Sequence, residues 1–290
     1  MRSLKKSGVF WMLISVMCFS TMQLFVKITD ERISVYQQIF FRNLLAAGVS
    51  YYYLRKLGGS MFGKLKDQPY LFARSLFGFL GLVFFFYAIR MGNVADVTII
   101  NRTNPFFTTL FSAVFLKQVV KLKDWGILML VFIGGVIASN PSFDSTALPA
   151  ILAFLSAISN GIAYTLLGYF RNKVPTMVVV MHFSMFSIVA SIPFVIVDYY
   201  APTLSAYMSL LMIAILGSFG QIAITIAYRC AEAAEISPFD QLSIVMSMIC
   251  GVTILGQHIS VQTLIGGGII ILSSILNYVM HNRARRNANC

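Results

Sequence analysis

Between its clusters of charge, glycine and proline, this chain runs again and again for about twenty mainly apolar residues. That is the length a helix needs to cross a hydrocarbon core of roughly 30 Å. Ten such runs stand near residues 8–28, 34–54, 70–91, 94–116, 122–139, 148–170, 175–197, 205–229, 236–256 and 262–281. In lipid a backbone must satisfy its own hydrogen bonds, which confines runs of this length to helices. Only 11% of the 290 residues are charged and 58% are hydrophobic, with a mean hydropathy of +0.80. A soluble domain carries about 25% charged residues. The expected fold is therefore an all-α integral membrane protein of ten transmembrane helices, with no stretch left for a soluble domain.

The basic start MRSLKK, ahead of the first run, has the outline of a secretion signal. Its apolar stretch is too long and no small-x-small site follows, so the first run is expected to remain as a helix. The cysteines, Cys18, Cys230, Cys250 and Cys290, show no CxxC and no metal-ligand spacing, and read as free thiols. No cofactor or metal is expected. With no nucleophile triad, P-loop or dinucleotide fingerprint, the sequence argues against an enzyme and against an ATP-driven pump.

The net charge of +12 belongs to topology. With the N-terminus inside, one side of the membrane collects Arg2, Lys5, Lys6, Arg55, Lys56, Lys64, Lys66, Arg74, Lys117, Lys121, Lys123, Arg171, Lys173, Arg229, Arg283, Arg285 and Arg286. The other side holds Lys27, Arg32 and Arg90, while Arg42 and Arg102 fall within runs. Lys and Arg accumulate in cytoplasmic loops. Both termini are thus expected in the cytoplasm, at the plasma (inner) membrane, and the basic excess needs no nucleic-acid partner.

The two halves match in register. At a shift of 139 with no gap, Gly78 meets Gly217, Gly81 meets Gly220, Ala88 meets Ala227 and Arg90 meets Arg229. The block Ala95-Asp96-Val97-Thr98 meets Ala234-Glu235-Ile236-Ser237, Thr108 meets Ser247, and Gln118 meets Gln257. Residues 1–139 and 140–290 each hold five runs, an odd number, so the second repeat must enter the membrane in the opposite sense. Inverted five-helix repeats of this kind build many secondary transporters, with substrate held between the repeats. Channels share the device, so the repeat alone favours transport without fixing its mechanism.

The segment FYAIRMGNVADVTIINRTNPFFTTLFSAVFLKQ, residues 86–118, and its counterpart AYRCAEAAEISPFDQLSIVMSMICGVTILGQ, residues 227–257, carry a resemblance. They are similar to the helix 3–4 segments of the ten-helix EamA-type members of the drug/metabolite transporter superfamily, and the likeness runs the full length. The usual Glu near the end of the segment is replaced here by Gln118 and Gln257. The resemblance implies a carrier for small metabolites such as amino acids, aromatic compounds, cofactor precursors or S-adenosylmethionine, with both termini cytoplasmic.

Candidate solute-binding residues come from polar groups inside the runs, because ionisable groups in hydrocarbon usually face a cavity or a partner. Asn101, Asn104, Pro105 and Thr108 share one helical face, with Arg102 on the adjoining stripe. Pro105 cannot bond the Asn101 carbonyl and is expected to kink the helix. The sector reads either as a cavity wall or as polar glue between helices. In the second half Asp240 aligns with Asn101 and Gln241 with Arg102. Counting about 1.5 Å per residue from opposite membrane edges puts Arg102 and Asp240 roughly 13 Å apart in depth. Direct pairing is not expected on that count. A cation and an anion at different depths suit a zwitterionic solute, and Asp240 is also a proton-coupling candidate. Further candidates are Gln23 (with Ser20 and Lys27), Arg42, Asn160 and Tyr164 (with Ser156 and Ser159), His182 and Gln221. His182 reads as a ligand or as a hydrogen-bonded packing residue, and the glycines as close-packing positions. The leading function is a secondary transporter of a small polar or zwitterionic metabolite by alternating access, with proton coupling and exchange both open. A lipid flippase or scramblase, with a laterally open polar groove, is the alternative.

Overall fold

The computed structural model describes residues 2–56, 58, 60, 61, 63–117, 122–139, 147–170, 173–230, 236 and 239–288. The first half comprises α1 (Arg2–Ile28), α2 (Val35–Lys56), α3 (Gln68–Met91), α4 (Val94–Asn101), α5 (Asn104–Phe115) and α6 (Leu122–Ser139). The second comprises α7 (Leu148–Tyr169), α8 (Thr176–Val197), α9 (Leu204–Cys230), α10 (Leu242–Thr253) and α11 (Val261–Ala288). Six stretches, in α1, α3, α7, α8, α9 and α11, are long and apolar enough to cross a membrane. The remaining segments fall short for visible reasons. α2 carries Gln37, Gln38, Arg42 and Asn43, α4 and α5 divide one run between them, and α6 and α10 are apolar but short.

The fourth run is two helices where a single kinked helix was expected. Arg102 (φ −72, ψ 3) leaves helical geometry, and its N–H is shared between the Thr98 and Ile99 carbonyls at 3.0 and 3.1 Å. Pro105 then falls in the first turn of α5, where its missing N–H would have had no partner anyway. Restarting the helix thus resolves a conflict that a continuous rod would keep. The counterpart breaks at the matching position: residues 239 and 240 are helical, Gln241 is a turn, and α10 begins at Leu242. Gln118, Ala234, Glu235, Ser237 and Pro238, which the register pairs, lie outside the described residues.

Helix packing respects the internal repeat. α1 lies on α9 as α7 lies on α3, α2 touches α9 as α8 touches α3, and α10 meets α1 as α5 meets α7. The pairs α2–α8 and α6–α11 exchange into themselves. The matched arginines do matching work. Arg90, at the end of α3, donates to the Ile33 carbonyl ahead of α2, and Arg229, at the end of α9, donates to Thr176 at the start of α8. Ala88 and Ala227, two residues earlier, are both fully buried.

Polarity runs inside out, as lipid requires. Ile196 and Leu272 are 74% and 68% exposed, while Arg42, Arg74 and Asp240 are 3%, 2% and 4% exposed.

Candidate functional site

A cavity of about 90 Å³ opens where the two halves face each other. By that measure a single water needs about 10–15 Å³, so there is room for several waters or for part of a small solute. Its walls are Phe19, Met22 and Gln23 of α1, Arg42 of α2, and Arg74, Gly78, Gly81, Leu82 and Phe85 of α3. Asn101 and Arg102 enter from the break after α4, Asn160, Ala163 and Tyr164 from α7, Phe183 from α8, and Gln221 and Ile224 from α9.

The paired glycines make this space. A Cβ on Gly217 would stand 2.5 Å from Arg42 Nε, and one on Gly220 2.8 Å from the Phe19 ring. In the other repeat, a Cβ on Gly81 would stand 2.6 Å from Asn160 Oδ1, and one on Gly78 3.0 Å from the Phe183 ring. The repeated GxxG is therefore close packing, as its sequence suggested, but packing that admits cavity-wall side chains.

Arg102 and Asp240 are paired, which corrects the expected separation. Arg102 Nη1 donates to Asp240 Oδ2 at 2.5 Å, with both side chains under 10% exposed. The depth estimate treated each segment as an upright, continuous rod. In fact the segments break at Arg102 and at Gln241, next to Asp240, and α4 and α10 pack together. The pair neutralises itself, so it no longer argues for a solute with separated charges. Gln241, next to Asp240, is 1% exposed, and its amide atoms have no hydrogen-bond partner.

The polar sector of residues 101–108 divides between the two readings. Asn101 and Arg102 line the cavity, and Asn101 Nδ2 donates to Ser156 Oγ at 2.8 Å. Ser156 in turn donates to the Gly81 carbonyl at 2.7 Å and accepts from Asn160 at 3.2 Å. Asn104 and Thr108 do not reach the cavity. Thr108 donates to the Asn104 carbonyl at 2.9 Å, and its own carbonyl accepts from Thr165 at 3.0 Å, fastening α5 to α7. Half the sector is wall and half is glue.

Of the other candidates, Gln23, Arg42, Asn160, Tyr164 and Gln221 line the cavity. Gln23 accepts from Thr98 Oγ1 at 2.8 Å, Arg42 reaches Gln221 Oε1 at 3.5 Å, and Tyr164 stacks on Tyr228 with centroids 5.4 Å apart. His182 stays off the wall: its Nδ1 lies 2.8 Å from Ser75 Oγ, the packing role. Lys27 caps the end of α3, donating to the Arg90 and Gly92 carbonyls at 2.9 and 2.8 Å.

Arg74 escaped the sequence reading, which counted it among the cytoplasmic loop charges. It sits inside α3, 2% exposed, with its guanidinium carbon 4.2 Å from the Phe183 ring centroid. The signal was present in the spacing: Arg74, Gly78, Gly81 and Phe85 follow i, i+4, i+7, i+11, the stripe that lines the cavity. A second hollow, on the outer face between α2 and α9, is lined by Phe41, Leu44, Leu45, Gly48, Val49, Tyr52, Tyr53, Leu211 and Ala214. It is apolar apart from two tyrosine hydroxyls.

The model of the EamA-like transporter family matches the chain twice, over residues 6–140 and 147–279. The chain is 27% identical to the pseudopaline exporter CntI of Pseudomonas aeruginosa, over 94% of its own length and 96% of that protein's. It is 23% identical to the S-adenosylmethionine uptake transporter of Rickettsia conorii, over 93% and 91%. A solved crystal structure shares its fold with a TM-score of 0.72 at 17% identity, covering 96% of this chain and 99% of that one.

Proposed function

Because the chain belongs to the EamA-like transporter family, and is thus a multi-pass membrane protein, we propose that it is a secondary carrier. On this reading it moves a small polar metabolite by alternating access, the solute being an amino acid, a cofactor precursor or a related organic molecule. The observation that carries the reading is the buried cavity lined from both halves: Gln23, Arg42, Arg74, Asn101 and Arg102 on one side, Asn160, Tyr164 and Gln221 on the other. Polar and charged groups converging on a hole inside an apolar bundle are what a solute path requires.

The repeats divide at 139/140 and are inverted, in keeping with the double family match and the exchangeable helix pairs. Rocking the halves about the cavity would then expose it to either side in turn. The Arg102–Asp240 bridge joins one broken helix to its counterpart and is the natural latch. Asp240 is also the proton-coupling candidate: taking up a proton removes the charge that Arg102 binds, and the latch opens. On the same reading both termini lie on the cytoplasmic side of the plasma (inner) membrane, which the excess of Lys and Arg in the loops of one side supports. One relative is named as an exporter and another as an uptake system, so neither direction is favoured by kinship. The lipid-flippase alternative needs a polar groove open to the side, whereas the lateral hollow between α2 and α9 is apolar.

The test is uptake by proteoliposomes offered radiolabelled amino acids, nucleosides, vitamins and organic acids one class at a time. Saturable, protein-dependent accumulation of one class is expected. Failure of every class, together with protein-dependent scrambling of a fluorescent lipid, would replace the carrier with the lipid alternative.

A further inference from the structure

The cavity's charges do not balance. Arg102 is spent on Asp240, but Arg42 and Arg74, the other two guanidiniums on the wall, have no carboxylate within salt-bridge distance among the described residues. Nε and Nη1 of both side chains are buried without a hydrogen-bond partner. Arg42 has a long contact of 3.5 Å from its Nη2 to Gln221. Each also faces an aromatic ring, Phe19 at 5.9 Å for Arg42 and Phe183 at 4.2 Å for Arg74.

Taking a guanidinium out of water and leaving its donors empty is costly, and a ring face compensates only in part. Two such groups on one small cavity also repel each other. The fold nonetheless makes room for both, through Gly217 beside Arg42 and Gly78 beside Arg74. Neither arginine is matched by another arginine in the other half, where the 139-residue register places Met181, next to His182, and Ile213. The positive charge is therefore concentrated on the first-repeat wall, while the second repeat contributes the neutral groups of Asn160, Tyr164 and Gln221.

We propose that Arg42 and Arg74 form an oxyanion clamp and that the transported solute is an organic acid presenting carboxylates to it. Resting on the carrier reading, this names the class of solute. Planar guanidiniums match carboxylates through paired N–H donors; both side chains lie on the cavity wall, and a carboxylate there would draw the covered Nε and Nη1 donors toward it. The amides of Asn160 and Gln221 and the ring of Tyr164 then meet the solute's uncharged end. The solute enters as an anion, and its binding relieves the repulsion between the two arginines.

The experiment is thermal stabilisation of the purified full chain in nanodiscs by succinate, malate, glutamate and citrate. Succinamide, inorganic phosphate and tetramethylammonium serve as comparisons. At least one carboxylate should raise the melting midpoint where succinamide and tetramethylammonium do not. The shift should vanish in Arg42→Gln and Arg74→Gln and survive weakened in Arg42→Lys and Arg74→Lys, which keep the charge but lose the planar fork. Without ligand the Gln variants should melt no lower than wild type, since each removes an unpaired buried charge. No carboxylate shift, a shift retained in both Gln variants, or a response to phosphate or tetramethylammonium alone overturns the clamp. Proteoliposome transport reports separately: a protein that moves a neutral or cationic solute, unaffected by either Gln change, remains a carrier and loses this assignment.

Discussion

Arg102 and Asp240, 138 residues apart in sequence, meet at 2.5 Å at the breaks of two helical segments from opposite halves. A buried ion pair of this kind holds best with both partners present and worst with one. Arg102→Ala or Asp240→Asn alone should lower stability by about 3 kcal/mol, because each leaves an uncompensated buried group. The double change Arg102→Met with Asp240→Leu should recover most of that loss, yet transport should remain strongly reduced in all three. Denaturation of the wild type and the three variants provides the check. Full transport in the double variant would make the bridge a structural staple and nothing more.

α6 and α11 approach closely enough for glycine to be required. A Cβ on Gly266 would collide with the Gly134 carbonyl oxygen, whereas Gly268, two residues on, has nothing within 4 Å of the same position. Gly266→Ala should cost about 1–3 kcal/mol through overpacking. Gly268→Ala should be neutral or stabilising by up to about 1 kcal/mol through helix propensity. Equal melting temperatures for the two variants would contradict the packing described.

The start of α4 is capped from the other half of the chain. Gln257 Oε1 accepts the Val94 N–H at 3.0 Å, and Asn93 Oδ1 accepts that of Ala95 at 3.0 Å. Gln257→Ala should cost about 1 kcal/mol, as lost caps do. Gln257→Glu sets a carboxylate against the helix N-terminus. It should add roughly 0.3–1 kcal/mol, measurable as a higher melting temperature. A lower one would show that the amide's own donors matter more than the added charge.

Arg90 and Arg229 perform one task in two places, each tying the end of one helix to the region where another begins. Arg90→Ala and Arg229→Ala should therefore destabilise by similar amounts, about 1.5–3 kcal/mol for a lost charged hydrogen bond. A large effect in one and none in the other would set the repeat's equivalence aside at this position.

Much of this architecture is legible in the sequence, because lipid imposes strict rules on it. Run length marks the segments, and the Arg90/Arg229 and glycine matches mark the repeat. Polar residues inside apolar runs pointed to seven cavity-wall side chains, from Gln23 to Gln221. What failed was what depends on depth and direction. Residue counting places a side chain along a straight axis, so the breaks at Arg102 and Gln241 defeated the estimate for the ion pair. Arg74 sits in α3 near the basic loops, where a charge-counting rule cannot tell a wall residue from a loop residue. Thr108 and His182 share the chemistry of wall residues but bond to neighbouring helices, a distinction that only three-dimensional packing makes.

The central claim is that the buried cavity opens to each side of the membrane in turn. Ala163, on its wall and 1% exposed, reports on this most directly as Ala163→Cys in a background with Cys18, Cys230, Cys250 and Cys290 replaced. A membrane-impermeant methanethiosulfonate reagent would be applied separately from each face of sealed, oriented vesicles. Labelling from both faces, in vesicles that remain tight to ions, is the predicted result. Labelling from neither face, or from one face only under every condition, would contradict an alternating-access carrier built around this cavity.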